Sequence, residues 1–310
     1  MSFHPGEIAI QSMAQVREEA ASLDRLIGNR ISQGAQALLS TQSFAIAASV
    51  DRENRVWASL LIGEPGFVEV LDSHTIQIRF LPIISDPLFQ NLLAHPQIGI
   101  LIIDLENRRR LRLNGKAQVQ IGSSSSTGER QNQMTIQLQE VFFNCPKYIQ
   151  TRYQTATNQE PLAPLISSTR VSLNSTDRQW ITTADTFFIA SFYADTGADA
   201  SHRGGFPGFV QVISPNQLVF PDYAGNNMFQ TLGNLAVNPY AGLLFVNFEQ
   251  GHTLQLTGTS KIIWEKERLS QITGAQRLIE FTIEQVLETQ NVTPFRWQFG
   301  EYSPAIPAPA

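Results

Sequence analysis

The residues best suited to chemistry stand close together in this chain: His202-Arg203-Gly204-Gly205, then Asp222-Tyr223-Ala224-Gly225-Asn226-Asn227. Arg203 offers a planar guanidinium fork, the group that meets phosphate with paired hydrogen bonds. Gly204-Gly205 removes side chains, so a ligand can approach the backbone. Gly225-Asn226-Asn227 opens a predicted helix over 228–236. Free N–H groups at a helix N-terminus, joined by Asn donors, make an anion site. Asp222 could accept from a sugar hydroxyl or a ring N–H. The expected chemistry is a phosphate cradle. Singly, each residue has a plainer reading: turn and cap for Asn226 and Asn227, a surface ion pair for Arg203, a hydrogen-bonded structural imidazole for His202. Their clustering favours the cradle.

What must position these residues is one fold written twice. Ala58-Ser59, Gly63, Pro65-Gly66-Phe67-Val68 and Val70 recur as Ala200-Ser201, Gly205, Pro207-Gly208-Phe209-Val210 and Val212. The flanks agree as well: Ser43-Phe44-Ala45-Ile46-Ala47 with Thr186-Phe187-Phe188-Ile189-Ala190, Gly99 with Gly242, and Leu111, Leu113 and Gly115 with Leu254, Leu256 and Gly258. Each copy reads as a short helix (34–40; 177–183), a hairpin, a Gly-kinked strand, a helix (87–94; 228–236), a buried strand (98–103; 241–246) and an alternating strand (110–119; 253–263). A further β segment follows, carrying Met134, Ile136 and Leu138 or Leu278, Phe281 and Ile283. Many strands and few long helices predict a mainly β fold, antiparallel β-barrels with helices packed outside. The boundary is expected in the Pro-, Ser- and Thr-rich stretch 155–176, giving repeats over 1–160 and 161–302. Residues 303–310 read as a Pro/Ala-rich tail, and Gly122–Gly128 as a loop tip.

The copies differ where packing does not demand it. Leu60-Leu61-Ile62 stands opposite His202-Arg203-Gly204, an exchange of apolar surface for a cation and an imidazole that persists only facing water or a polar ligand. Arg108, Arg110 and Arg112 share one strand face and could reach a phosphate, although a solvated edge that discourages sheet aggregation is the commoner cause. Cys145, before a proline in a predicted turn, reads as structural.

Composition narrows the classes further. Twenty-seven acidic residues against 22 basic ones leave a net charge of -5, poor for a nucleic-acid binder. One Cys excludes an intrachain disulfide and a Cys-based zinc site. The first residues read as a loop leading into an amphipathic helix rather than an export signal, and no apolar run approaches the ~20 residues of a membrane helix. A cytoplasmic protein is expected, with no membrane and no nucleic-acid partner. No Gly-x-Ser-x-Gly, His-Glu-x-x-His, Walker or Rossmann fingerprint occurs.

Ser201-His202-Arg203-Gly204-Gly205-x-Pro207-Gly208-Phe209-Val210, Pro221-Asp222-x-x-Gly225-Asn226 and Thr231-Leu232-Gly233-Asn234-Leu235 resemble the pyridoxamine 5′-phosphate oxidase-related, FMN-binding split-barrel proteins. Phe3-His4-x-Gly6-Glu7, Trp57-Ala58-Ser59-Leu60-Leu61, Arg108-Arg109-Arg110-x-Arg112-x-Asn114-Gly115 and Asn144-Cys145-Pro146-Lys147-Tyr148-Ile149-Gln150 resemble a bacterial subgroup with two tandem units. The resemblance implies FMN as cofactor, bound by Ser201, His202, Arg203, Gly204, Asp222, Asn226, Asn227 and Thr231. It implies an oxidoreductase with a small-molecule substrate and an external electron donor. The two barrels would pair as an intrachain pseudo-dimer, or the chain as a homodimer. Where related sequences often carry a basic residue after Gly225-Asn226, this one has Asn227-Met228. That departure keeps two other readings in view: a non-enzymatic module that binds or senses flavin or haem, and a scaffold with a decayed site.

Overall fold

A computed structural model describes residues 3–80, 83–120, 132–155 and 163–308. In the first half, β1 (Phe44–Val50), β2 (Val56–Ile62), β3 (Val68–Asp72), β4 (Thr75–Phe80), β5 (Gln97–Asp104), β6 (Arg109–Gln120) and β7 (Asn132–Asn144) form one antiparallel sheet in the order β2-β1-β5-β6-β7-β4-β3. After β8 (Arg152–Thr155) and β9 (Ile166–Arg170), the second half repeats it. There β10 (Thr186–Tyr193), β11 (Gly197–Gly204), β12 (Gln211–Ser214), β13 (Gln217–Tyr223), β14 (Tyr240–Asn247), β15 (His252–Ile263) and β16 (Ala275–Gln290) run in the order β11-β10-β14-β15-β16-β13-β12. The order is the same strand for strand. Both long strands bulge at the same place, between Asn114 and Gly115 and between Thr257 and Gly258. The expected mainly β, twofold split-barrel architecture is what forms.

Helices pack outside, as their caps and apolar faces dictate. Ser32 caps α3 (Gln33–Leu39) by accepting from the Ala35 N–H, and Asn174 with Asp177 closes a capping box on α5 (Ser175–Thr183). The helices α4 (Leu88–Ala94) and α6 (Gln230–Val237) are equivalent: Asn91 donates to Ser49 and Asn234 to Ser191, each at 3.0 Å. The N-terminus is two helices rather than one. His4 and Glu7 box the start of α1 (Pro5–Met13), and Gln15 in the left-handed region (φ 61°) turns the chain before α2 (Arg17–Leu23). A short α7 (Lys266–Leu269) precedes β16.

Each sheet wraps its own core. Ala45, Leu61, Ile76, Ile100 and Leu113 fill the first; Phe187, Ile189, Phe220, Phe245 and Leu256 fill the second. A third cluster lies between the barrels, where Ile46, Ala48, Leu60, Leu101 and Ile103 meet Phe188, Ala190, Ala200, Leu244 and Val246. Strands β1 and β2 are therefore buried on both faces, which accounts for their unbroken apolar runs. Two glycines let the backbones cross. A Cβ on Gly99 would meet the Ala198 carbonyl oxygen at 2.5 Å, and one on Gly242 the Val56 carbonyl oxygen at 2.7 Å. The barrels thus pair as an intrachain pseudo-dimer.

The ends of the chain depart from expectation. The predicted boundary at 160/161 and the loop tip at 122–128 lie outside the described residues. Residues after 302 do not trail free, since Ser303 and Ile306 are buried. The last strand, β17 (Arg296–Phe299), pairs with β8, and Ser303 accepts from the Tyr148 N–H at 3.1 Å. Proline does not stop these residues packing, because a segment without a ladder needs no N–H donors. Among the described residues, no helix is long and apolar enough to cross a membrane.

Candidate functional site

The barrel seam brings β6 of the first half across β11 of the second. At that crossing Arg112 sits with its Nε 2.9 Å from Asp199 Oδ1 and 3.2 Å from the Ala200 carbonyl oxygen, and it is 3% exposed. Its Nη1 donates to Gln230 Oε1 at 2.6 Å, and its guanidinium lies 5.4 Å from the Phe142 ring. Beside it, Arg110 comes within 3.4 Å of His202 Nδ1. The expectation of a solvated edge for Arg110 and Arg112 is therefore corrected. Strand alternation reports that they share a face, but not that a second barrel covers that face.

These arginines, with β11 and the loop after β13, enclose a cleft of about 800 Å³ measured out to its mouth. All eight residues expected at the site line it: Ser201, His202, Arg203, Gly204, Asp222, Asn226, Asn227 and Thr231. The first barrel adds Arg110, Arg112, Asn144, Cys145, Lys147 and Tyr148, which reasoning on the second copy alone missed. Tyr148 has φ 71° and donates through its hydroxyl to the Ala224 carbonyl at 2.7 Å, bridging the barrels. Its ring meets that of Tyr223 at 5.3 Å. Cys145, expected to be purely structural, faces the cleft half-buried and free.

The electrostatics are one-sided. Burial, then the neighbouring Arg112 and Arg203, push Arg110 down to about 9, and among the described residues no carboxylate lies within ion-pair distance of it. Burial also lowers Arg203, partly offset by Asp222 at 3.7 Å. His202 is 2% exposed, and burial, reinforced by Arg110, holds it well below its ordinary value. Its ring is neutral at pH 7. Its Nε2 and Arg110 Nε are buried without a hydrogen-bond partner, and with Nδ1 facing the Arg110 donor both are orphaned donors of the kind a bound ligand satisfies. The single hydrogen-bonded histidine expected here is therefore only half satisfied.

Two further expectations change. Asp222 is engaged by Arg277, whose Nη2 lies 2.8 Å from Oδ2, and Arg277 is itself stacked between Phe229 and Trp264. Its carboxylate is a brace for the cationic wall rather than a free acceptor. The helix α6 begins at Gln230, after Phe229 in the left-handed region (φ 64°), and not at the Asn pair. Asn226 instead accepts from the Met228 N–H at 3.2 Å, the turn role weighed against the cradle. Asn227, also left-handed (φ 62°), lines the cleft from that turn. Thr231 does lie in the first turn of α6, 3.5 Å from Asp199 Oδ2.

No curated protein matches the chain significantly. A mutant of HupZ from Group A Streptococcus is similar at 17% identity and TM-score 0.31, over 36% of this chain and 98% of that one. A putative pyridoxamine 5′-phosphate oxidase from Lactobacillus delbrueckii is similar at 15% identity and TM-score 0.30, over 37% and 95%. HutZ, the haem storage protein of Vibrio cholerae, is similar at 15% identity and TM-score 0.27, over 36% and 94%. Residues 173–290 match the family model described as pyridoxamine 5′-phosphate oxidase, a span that runs from the start of α5 to the end of β16 and carries the His202-Arg203 wall. Through that span the chain is related to the pyridoxamine 5′-phosphate oxidase family.

Proposed function

We propose that the cleft binds FMN through its phosphate and that the chain is an FMN-dependent oxidoreductase acting on a small-molecule substrate with an external electron donor. One observation carries the reading: Arg110, Arg112 and Arg203 converge from both barrels, and among the described residues no carboxylate lies within ion-pair distance of Arg110. A buried surplus of positive charge is costly unless an anion completes it. The donor set fits a phosphate, the orphaned His202 Nε2–H fits a ring carbonyl oxygen, and Tyr148 and Tyr223 offer apolar faces at the mouth.

In this reading Arg203 and Arg110 grip the anion. Arg112, locked by Asp199, keeps the field positive without moving. Asp222 and Arg277 hold Arg203 in place from behind. Neutral His202, whose Nδ1 faces the Arg110 donor, presents its Nε2–H to the ligand, and the Tyr148 hydroxyl, tied to Ala224, closes one side against water. FMN, when bound, supplies hydride transfer, and the protein supplies orientation and access.

The test is a titration of purified protein with FMN, followed by flavin absorbance. Arg203→Ala should weaken binding by about 10–100-fold, the worth of a charge-assisted hydrogen bond of about 1.5–3 kcal/mol. A protein that ignores FMN ends the proposal. One observation favours a second reading, a module that holds its ligand without turnover: Asp222 is engaged by Arg277 and burial holds His202 neutral, so the two do not form an acid–base pair. Oxidation of reduced nicotinamide by the FMN-loaded protein would remove that alternative.

A further inference from the structure

The pseudo-dimer has two seams, and its symmetry relates them residue by residue. Ser59 is equivalent to Ser201, since Ala48 pairs with Ala58 as Ala190 pairs with Ala200. Gln255 is equivalent to Arg112: it donates to the Ala58 carbonyl at 2.9 Å as Arg112 donates to the Ala200 carbonyl. Leu88 is equivalent to Thr231, through the matching Asn91 and Asn234 contacts. Leu60 and Leu61 stand where His202 and Arg203 stand in the open seam.

In the second seam these same three positions are already satisfied. Asp86 accepts from Ser59 Oγ at 2.8 Å, from the Leu88 N–H at 2.8 Å and from Gln255 Nε2 at 3.0 Å. Leu60 and Leu61, both buried, replace the polar pair of the open seam with apolar walls beside it. We infer that this seam is a ligand site filled from within, the Asp86 carboxylate standing where the ligand's anionic group stands in the open seam, so that the chain takes one ligand where its symmetry makes two. The inference rests on the reading of the open cleft as an anion-binding cofactor site. By the same correspondence, Ser201 Oγ, Arg112 and the Thr231 N–H join Arg203 and Arg110 around the anion in the open seam. Burial pushes Asp86 up to about 6, consistent with a carboxylate that has donors but no cation.

The experiment is a count of FMN bound per full-length chain by native mass spectrometry and equilibrium dialysis. One FMN per chain is expected. Arg112→Ala should weaken binding at least about tenfold, whereas Asp86→Asn and Gln255→Ala in the closed seam should leave the count at one and the affinity within about twofold. Two FMN per chain, or a single site lost in Gln255→Ala and kept in Arg112→Ala, overturns the inference. If FMN does not bind at all, the cofactor reading fails by itself and radiolabelled inorganic phosphate decides the seams. One phosphate per chain, lost only in Arg112→Ala, upholds the inference; two, none, or loss in Gln255→Ala overturns it.

Discussion

Arg110→Met separates ligand binding from stability with opposite signs. The guanidinium stays charged at neutral pH, so whatever disfavours the charge is a cost to the fold. Burial beside Arg112 and Arg203 brings it down to about 9 from its ordinary value above 12. At about 1.4 kcal/mol for each pH decade, the charged form is disfavoured by about 5 kcal/mol at most. The side chain is only half-buried, and water at the cleft mouth screens the repulsion to about 1–2 kcal/mol. Methionine keeps the stem's packing and drops the charge. The ligand-free variant should therefore melt about 2–6 °C higher, while its FMN affinity falls by about tenfold or more. Differential scanning fluorimetry with and without FMN reads both. Arg110→Lys, which keeps the charge, should not gain stability. A ligand-free Arg110→Met protein that melts lower than the parent would refute the electrostatic reasoning.

Glu7 gives a pH test, since burial pushes it up to about 8 and the His4 N–H offsets only part of that. A carboxyl raised in the folded state favours folding in its protonated form, so that contribution is whole below about pH 4.5 and is lost as pH rises through 8. Urea midpoints should fall between pH 5 and 9, and Glu7→Gln should flatten the slope without abolishing it, because burial also raises Glu140 and Asp199. A slope unchanged in Glu7→Gln would assign it elsewhere. Gly233→Ala tests the docking of α1 on α6: the added Cβ would lie 2.5 Å from Glu7 Cγ and 2.7 Å from its Cα. Backbone cannot yield there, so a loss of about 1–3 kcal/mol and early proteolysis within the first 25 residues are expected. Parental thermal stability in that variant would mean the two helices separate freely.

The repeat was legible because both copies must bury the same interior, and burial writes itself into alternation, glycines and turns. Ala58-Ser59 against Ala200-Ser201 already placed Leu60 opposite His202, and the strand registers agree. What escaped was anything decided by the face of another element. Arg110 and Arg112 carry no local mark that β11 will cover them, and Asp222 gives no hint of Arg277, which lies 55 residues away. The Asn226-Asn227 pair looked like a helix start because Asn favours both caps and left-handed turns, and Phe229 settles the matter through a conformation that a bulky residue rarely announces. The position before a proline hid Cys145 in the same way, since a turn residue can face solvent or a cleft.

The β8–β17 ribbon and the contact of Ser303 with Tyr148 tie the middle of the polypeptide to its last residues. Synthesis runs from the N-terminus, and the first barrel can collapse while the second is still emerging. Tyr148 belongs to that early half, yet its backbone anchor lies 155 residues further along the chain. During synthesis the first barrel therefore stands finished while that wall of the cleft is still incomplete.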